Sequence, residues 1–301
     1  MTELVVEVNG LSRQFGQTLA LDSVDFQAAR GSVYGLVGAN GAGKTTLIKH
    51  LMGLLRSHSG SVQVFGQDPV RDPVSVLKRI GYLSEDRDIP EWMSIDELMR
   101  YTNAFHKHWD SAYAKDLLDT FSLDTSKLIK DLSRGMRAQV ALVAAVAHRP
   151  DLLILDEPSS GLDAVVRQDI LNAIVRTISE EGRTVIFSSH LLEEVERMSD
   201  HVVMIQQGQV VLDGVLETLC NSYRHVSIRF ADQFDSAPVL RDVLYINGNG
   251  RSWSAIHHIS EEQFNTAVKQ LDGEVVESRN ATLEEIFIAR VGRSIDKQEA
   301  A

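Results

Sequence analysis

Cysteine is nearly missing from this chain of 301 residues: Cys220 stands alone. No intrachain disulfide can form, so a disulfide-stapled fold is excluded, and the pattern fits a reducing cytoplasm. Cys220 itself reads as a small, semi-buried apolar residue. Long apolar runs are missing too. The longest, Val140 to Ala147, is eight residues, against the ~20 needed to cross a bilayer. The opening Met1-Thr2-Glu3-Leu4-Val5-Val6-Glu7-Val8 has neither a basic segment nor a long apolar core, so no signal peptide is expected there. A cytosolic protein is expected, and work at a membrane requires spans from a partner. Positive charge is in short supply: 30 Lys and Arg face 42 Asp and Glu, a net charge of −12. That balance argues against a broad basic face, so no nucleic-acid partner is expected. With 20 glycines and six prolines the chain is neither collagen-like nor a linker, and 44% hydrophobic against 24% charged residues excludes a wholly disordered chain.

What is present, up to about Ser222, is an alternation of short apolar runs with helical stretches. Val33-Tyr34-Gly35-Leu36-Val37 is a β-rich run that stops at Gly38, and Thr45 to Met52 reads as a helix with Gly53 as its stop. Leu152 to Leu155 and Thr184 to Phe187 are continuous apolar runs, as suits strands buried on both faces of a parallel sheet. This order implies a doubly wound α/β core whose ligands sit beyond the strand C-termini. Leu4 to Phe26 reads as an antiparallel β flap. Residues from about Ile89 to Leu132 read as a helical insertion, with Ser94 and Glu97 as a capping box. The domain expectation is therefore 1–222 for the core and 223–301 for a small α+β appendage. In that appendage His225 to Phe230 alternates like a half-buried strand, and Asn247-Gly248-Asn249-Gly250 is a turn signal. Glu261 to Leu271 and Thr282 to Val291 read as helices, and the tail Ile295 to Ala301 as frayed.

Gly38-Ala39-Asn40-Gly41-Ala42-Gly43-Lys44-Thr45 matches G-x-x-x-x-G-K-[ST] between a strand and a helix, the context a phosphate-binding loop needs. Glycines let successive N–H groups point inward at phosphate oxygens, and the helix N-terminus adds its positive end. Asn40, Gly41, Ala42, Gly43, Lys44, Thr45 and Thr46 are the expected nucleotide-binding set, with Lys44 reaching the β- and γ-phosphates and Thr45 offering a hydroxyl to Mg²⁺. Asp156 and Glu157 end the buried run Leu152 to Leu155. Beside a triphosphate, Asp156 suits Mg²⁺ and Glu157 suits polarising an attacking water. His190 ends the next apolar run; it either serves the γ-phosphate or is a surface or capping residue.

Two further runs complete a set. Leu132-Ser133-Arg134-Gly135-Met136-Arg137-Ala138-Gln139 precedes the acidic strand, and Ser160-Gly161-Leu162-Asp163 follows it. From residue 4 to about 220 this order resembles the nucleotide-binding subunit of ABC transporters: Walker A, glutamine loop, LSGGQ-type signature, Walker B, D-loop and H-loop. Ser133 to Asp156 spans 23 residues and Glu157 to His190 spans 33, as in that family. The resemblance implies a P-loop NTPase core with antiparallel β and helical subdomains, ATP and Mg²⁺ as cofactors, and head-to-tail dimers. In such a dimer Ser133 and Gly135 contact the γ-phosphate in the other copy's cradle, with Asp163 also among the nucleotide-contacting residues. Ser133 is independently suited to cap the following helix and aim its N-terminus at an anion. An aromatic at the position of Phe15 stacks on adenine in the family; the alternative for Phe15 is an ordinary core aromatic of the flap. No guanine-reading Asn-Lys-x-Asp element is found, which favours ATP over GTP.

Three positions depart from the family pattern. Arg134 and Met136 replace Gly and Gln of the signature; Arg134 either adds charge near phosphate or faces solvent, and the sequence leaves both open. Glu85 stands where glutamine is usual, and the resemblance carries it in as a catalytic and Mg²⁺-contacting group. The signature, the Ser159 to Asp163 run and the ending Leu283-Glu284-Glu285-Ile286-Phe287 resemble exporter-type ATPases, among them a YtrB-like subgroup. The implied function is the ATP-hydrolysing subunit of an exporter. Its expected partners are a membrane permease and a second ATPase subunit, identical or different, and its expected location is the cytoplasmic face of the membrane. Tyr82, Trp92 and Met93 are candidate permease contacts, and each reads equally well as core. The rival reading is a soluble ABC ATPase acting on ribosomes or DNA.

Overall fold

A computed structural model describes residues 3–296 of the chain. It divides into two compact units, Met1–Asp213 and Gly214–Ala301, so the division falls ahead of the boundary expected near Ser222.

The first unit begins with the expected flap. Strands β1 (Leu4–Phe15) and β2 (Thr18–Ala29) pair antiparallel, and β4 (Ser59–Val64) adds on the other side of β1. Between them the chain runs through β3 (Val33–Val37) and helix α1 (Lys44–Leu51). Alternate flap residues Val6, Val8, Leu11 and Phe26 are buried with Leu47, Ile48 and Leu51 of α1 in one apolar core. Helix α2 (Pro73–Leu77) and strand β5 (Ile80–Leu83) lead into the insertion, which is helical as expected: α3 (Ile95–Asn103) and α4 (Ser111–Thr120). The capping box is formed, with the Glu97 N–H donating to Ser94 Oγ at 3.2 Å and the Ser94 N–H donating to Glu97 Oε2 at 2.8 Å. Both helices pack on α5 (Arg134–Val146).

Strand β6 (Leu152–Asp156), helix α6 (Ala164–Glu181), strand β7 (Thr184–Ser189), helix α7 (Leu192–Met198) and strands β8 (His201–Gln206) and β9 (Gln209–Val215) complete the unit. The main sheet has the order β5-β6-β7-β3-β8-β9, with β5 through β8 parallel in that order. Every residue of β3, β6 and β7 is buried, which is why these runs carry apolar side chains on both faces. The fold is a P-loop-type α/β core with an antiparallel β subdomain and a helical subdomain. No helix among the described residues is long and apolar enough to cross a membrane.

In the second unit helix α8 (Leu216–Ser222) precedes a sheet of order β11-β10-β12, made of β10 (Arg224–Phe234), β11 (Val243–His257) and β12 (Gly273–Asn280). The expected turn at Asn247–Gly250 lies within β11, which doubles back so that Ser254 Oγ donates to the Asn247 carbonyl at 3.3 Å. Helix α9 (Glu261–Lys269) packs on the sheet through a core that holds Phe230, Trp253, Phe264 and Val268, and α10 (Leu283–Asp296) packs against β11. Ile295 and Asp296 are helical rather than frayed, and the rest of the tail, 297–301, lies outside the described residues.

Candidate functional site

Three neighbouring strands end together. Val37 of β3 is level with Ser189 of β7, and Ser188 of β7 is level with Asp156 of β6. The residues that follow, Gly38, Glu157 and His190, therefore leave the sheet side by side. From Gly38 the chain bends through 39–43 into α1. Gly43 stands at the cap with φ +118°, where a Cβ would lie 2.7 Å from the Ala20 carbonyl oxygen, so only glycine fits. As at any helix start, the N–H groups of Gly43 to Thr46 have no intrahelical acceptor. They border a cleft of about 180 Å³ lined by residues 39–46 with Glu85 and Glu157.

Lys44 is buried at 6% exposure. Its Nζ donates to the Gly38 carbonyl at 2.6 Å and lies 3.1 Å from Glu157 Oε1, an ion pair without hydrogen-bond geometry. The other oxygen of Glu157 lies 2.7 Å from His190 Nδ1. Lysine, carboxylate and imidazole thus form one line across three strand ends. Glu157 adopts φ 49°, a left-handed backbone uncommon for a side-chain-bearing residue, as the chain turns out of β6. Ser188 supports both acids: its Oγ donates to Asp156 Oδ1 at 2.6 Å and accepts the Glu157 N–H at 2.8 Å. Thr45, Asp156 and Glu85 all open onto a neighbouring groove of about 520 Å³. A hydroxyl and two carboxylates are hard oxygen donors of the type Mg²⁺ takes.

The other expected residues do not line the cleft. Ser133 caps α5 by accepting the Met136 N–H at 3.2 Å, and Gly135 is buried against Val166 of α6. Asp163 caps α6, accepting the N–H groups of Val165 and Val166 at 3.0 Å each. Phe15 is 45% exposed, with the Arg13 guanidinium 4.6 Å from the ring centroid, so the core-aromatic alternative does not hold.

A profile of the ABC transporter family matches residues 21–160. Over full length the chain is 32% identical to a daunorubicin resistance ATP-binding protein, DrrA3, of Streptomyces coeruleorubidus, covering 100% of both chains. The chain belongs to the ABC transporter ATP-binding proteins. The ABC transporter ATP-binding protein YtrB of Bacillus subtilis is 26% identical over 96% of this chain and 98% of its own. Among solved structures, an ATP-binding subunit of an ABC transporter superposes with a TM-score of 0.66 at 29% identity, covering 72% of this chain and 92% of that one.

Three residues of this ABC ATPase escaped the sequence reading. Ser188 was foreshadowed only by a polar pair ending an apolar strand. Glu194, 7% exposed, gathers the hydroxyls of Ser159 at 2.8 Å and Ser189 at 3.0 Å. Arg87, 6% exposed, donates to the carbonyls of Ser160 at 2.7 Å and Pro158 at 3.3 Å, holding the loop after Glu157. Nothing in the order Glu85-Asp86-Arg87-Asp88 announces a buried cation. Of the three residues that read either as permease contacts or as core, Tyr82 lines the groove beside Glu85 and Trp92 is 73% exposed, whereas Met93 is core at 6% exposure. The groove also carries His106 and His148, stacked with centroids 3.8 Å apart.

Proposed function

We propose that this chain binds and hydrolyses Mg²⁺–ATP as the energising subunit of an exporter, paired with a second ATPase subunit and docked on a separate membrane permease at the cytoplasmic face. The observation that carries this reading is the line Lys44–Glu157–His190 at adjoining strand ends. A triphosphate in the 39–46 cleft competes with Glu157 for Lys44 and frees a carboxylate that His190 keeps oriented. That carboxylate then takes a proton from water in line with the γ-phosphate. Thr45, Asp156 and Glu85 would hold Mg²⁺, which would neutralise charge on the phosphates. Phe15 stacks on the adenine. Ser133, Gly135 and Asp163, which do not line this chain's own cleft, complete the cleft of the second subunit; closing and reopening the pair drives the permease. The description of DrrA3 as a resistance protein supports export as the direction.

Glu157→Gln is the test. Hydrolysis is expected to fall by roughly 10²–10⁴-fold, the usual worth of a general base, while nucleotide binding persists and an ATP-dependent dimer accumulates. Undiminished hydrolysis removes Glu157 from the mechanism, and a monomer at saturating ATP removes the paired architecture.

A further inference from the structure

Glu157 and His190 each stand just beyond a strand, and one buried carboxylate is bonded to both of the segments that carry them. Glu194, in the first turn of α7, accepts the Ser159 hydroxyl at 2.8 Å and the Ser189 hydroxyl at 3.0 Å. Both bonds end on the same oxygen, Oε2. Ser159 lies two residues after Glu157, and Ser189 is the residue before His190. All three side chains are buried, where a bond to a charged acceptor is strongest. Ser189 Oγ in turn accepts the Leu191 N–H at 3.0 Å, so the backbone is held on both sides of His190. The strand ladder brings Asp156 level with Ser188 and ends there. Beyond it Glu157 takes a left-handed turn, φ 49°, that only its surroundings can maintain. Stability alone does not account for Glu194. Its Oε1 is buried without a hydrogen-bond partner among the described residues, and its ion partner, Arg167 Nε of α6, stands off at 3.8 Å. An apolar side chain would pack at this place without leaving a buried oxygen unbonded.

We propose that Glu194 is a positioning residue for hydrolysis: through Ser159 and Ser189 it holds the backbone leaving Glu157 and the backbone entering His190 at the separation at which carboxylate and imidazole meet. This rests on the reading of Glu157 as the general base. A base works only while its oxygen stays within hydrogen-bond reach of the water it deprotonates, and a displacement of about 1 Å can cost roughly 10²-fold in rate. The nucleotide cradle is built on β3 and α1, so loosening the junction at Glu194 lowers turnover and spares binding.

The experiment is steady-state Mg²⁺–ATP hydrolysis by the full chain carrying Glu194→Leu, Glu194→Gln or the pair Ser159→Ala and Ser189→Ala, beside Glu157→Gln. Glu194→Leu removes the acceptor; kcat is expected to fall by roughly 10²-fold, with KM and the affinity for a fluorescent ATP analogue within about twofold of the wild type. Glu194→Gln keeps a carbonyl oxygen that accepts both hydroxyls, and kcat is expected to return to within about fivefold of the wild type. The serine pair leaves Glu194 in place and is expected to show the same split between kcat and KM. Adding it to Glu194→Leu should cost nothing further, because both remove one unit. A merely structural role would lower the thermal midpoint and ATP binding together with kcat, and would not separate Gln from Leu. Wild-type kcat in the serine pair overturns the assignment, even where Glu194→Leu fails to fold, and so does equal loss in Glu194→Gln and Glu194→Leu. Undiminished hydrolysis in Glu157→Gln overturns the general-base reading itself, so the two failures are distinct.

Discussion

Lys44 and Arg134 are both cations at the first residue of a helix in the same unit, yet their surroundings differ. Lys44 is buried, donates to a backbone carbonyl and faces the carboxylate of Glu157 at 3.1 Å. Arg134 is exposed, rests on a glycine and has another guanidinium for a neighbour. A buried cation at the positive end of a helix dipole survives only with a compensating anion. An exposed one is screened by water and remains available. The cradle side is therefore neutralised within the chain, whereas Arg134 has no ion pair among the described residues and Glu85 supports only the charge of Arg87.

The comparison breaks most sharply at Lys44. Removing one partner of a buried pair leaves the other charged and unpaired, at a cost of about 3–5 kcal/mol. Lys44→Met should lower the unfolding free energy of the first unit by that order, and adding Glu157→Gln should recover most of it. Arg134→Met, at an exposed site without a partner, should change it by no more than about 0.5 kcal/mol. Denaturant unfolding of the three variants at pH 7 decides. Equal effects of Lys44→Met and Arg134→Met would mean the ion pair at the strand ends contributes nothing.

Burial also separates charge from water in the neighbouring groove, with a consequence in pH. His148 is 6% exposed, its Nε2 lies 3.1 Å from the Ile80 carbonyl, and its ring is stacked on His106. Burial, with the nearby His106 adding to it, pushes the His148 pKa down from 6.5 to about 4. Between those values the unfolded chain binds a proton that the folded chain refuses. Stability therefore falls as pH drops from about 6.5 to about 4, by on the order of 3 kcal/mol in all, and His148 has no effect above that window. A thermal midpoint that is measured against pH should decline there in the wild type and decline less in His148→Gln. Parallel curves would exclude His148 as the source.

Much of the cradle was legible because its chemistry is local in sequence. The run Gly38 to Thr45 dictates a loop and a helix start, and the apolar runs before Gly38, Asp156 and His190 dictate the three adjoining strands. The capping roles of Ser94 and Ser133 were readable for the same reason, since an N-cap needs only its next three residues. Arg87, Ser188 and Glu194 were not readable. Each acts on a segment distant in sequence: Arg87 on Ser160, Ser188 on Asp156, Glu194 on Ser159. Their roles come from strand order and loop packing, which periodicity does not encode. Met93 stayed open for a related reason, because an apolar residue near a groove reads equally well as contact or as core until the helices are placed, and here it is core.

Glu85 is where the smallest effect is expected, and it probes the boundary between the two halves. It is exposed, lines both the cleft and the groove, and lies close enough to Arg87 to support that residue's charge. No ion pair among the described residues fixes its carboxylate. Glu85→Gln keeps an oxygen of the same reach and loses one negative charge next to a site that must accept a triphosphate. ATP turnover should persist within roughly tenfold of the wild type, with the Mg²⁺ concentration for half-maximal rate the quantity most open to change. If Glu85→Gln abolishes turnover while nucleotide binding stays intact, the carboxylate itself carries a catalytic step. The Lys44–Glu157–His190 line would then not suffice for chemistry on the cradle side, because the segment joining it to Arg87 would be supplying a charge of its own.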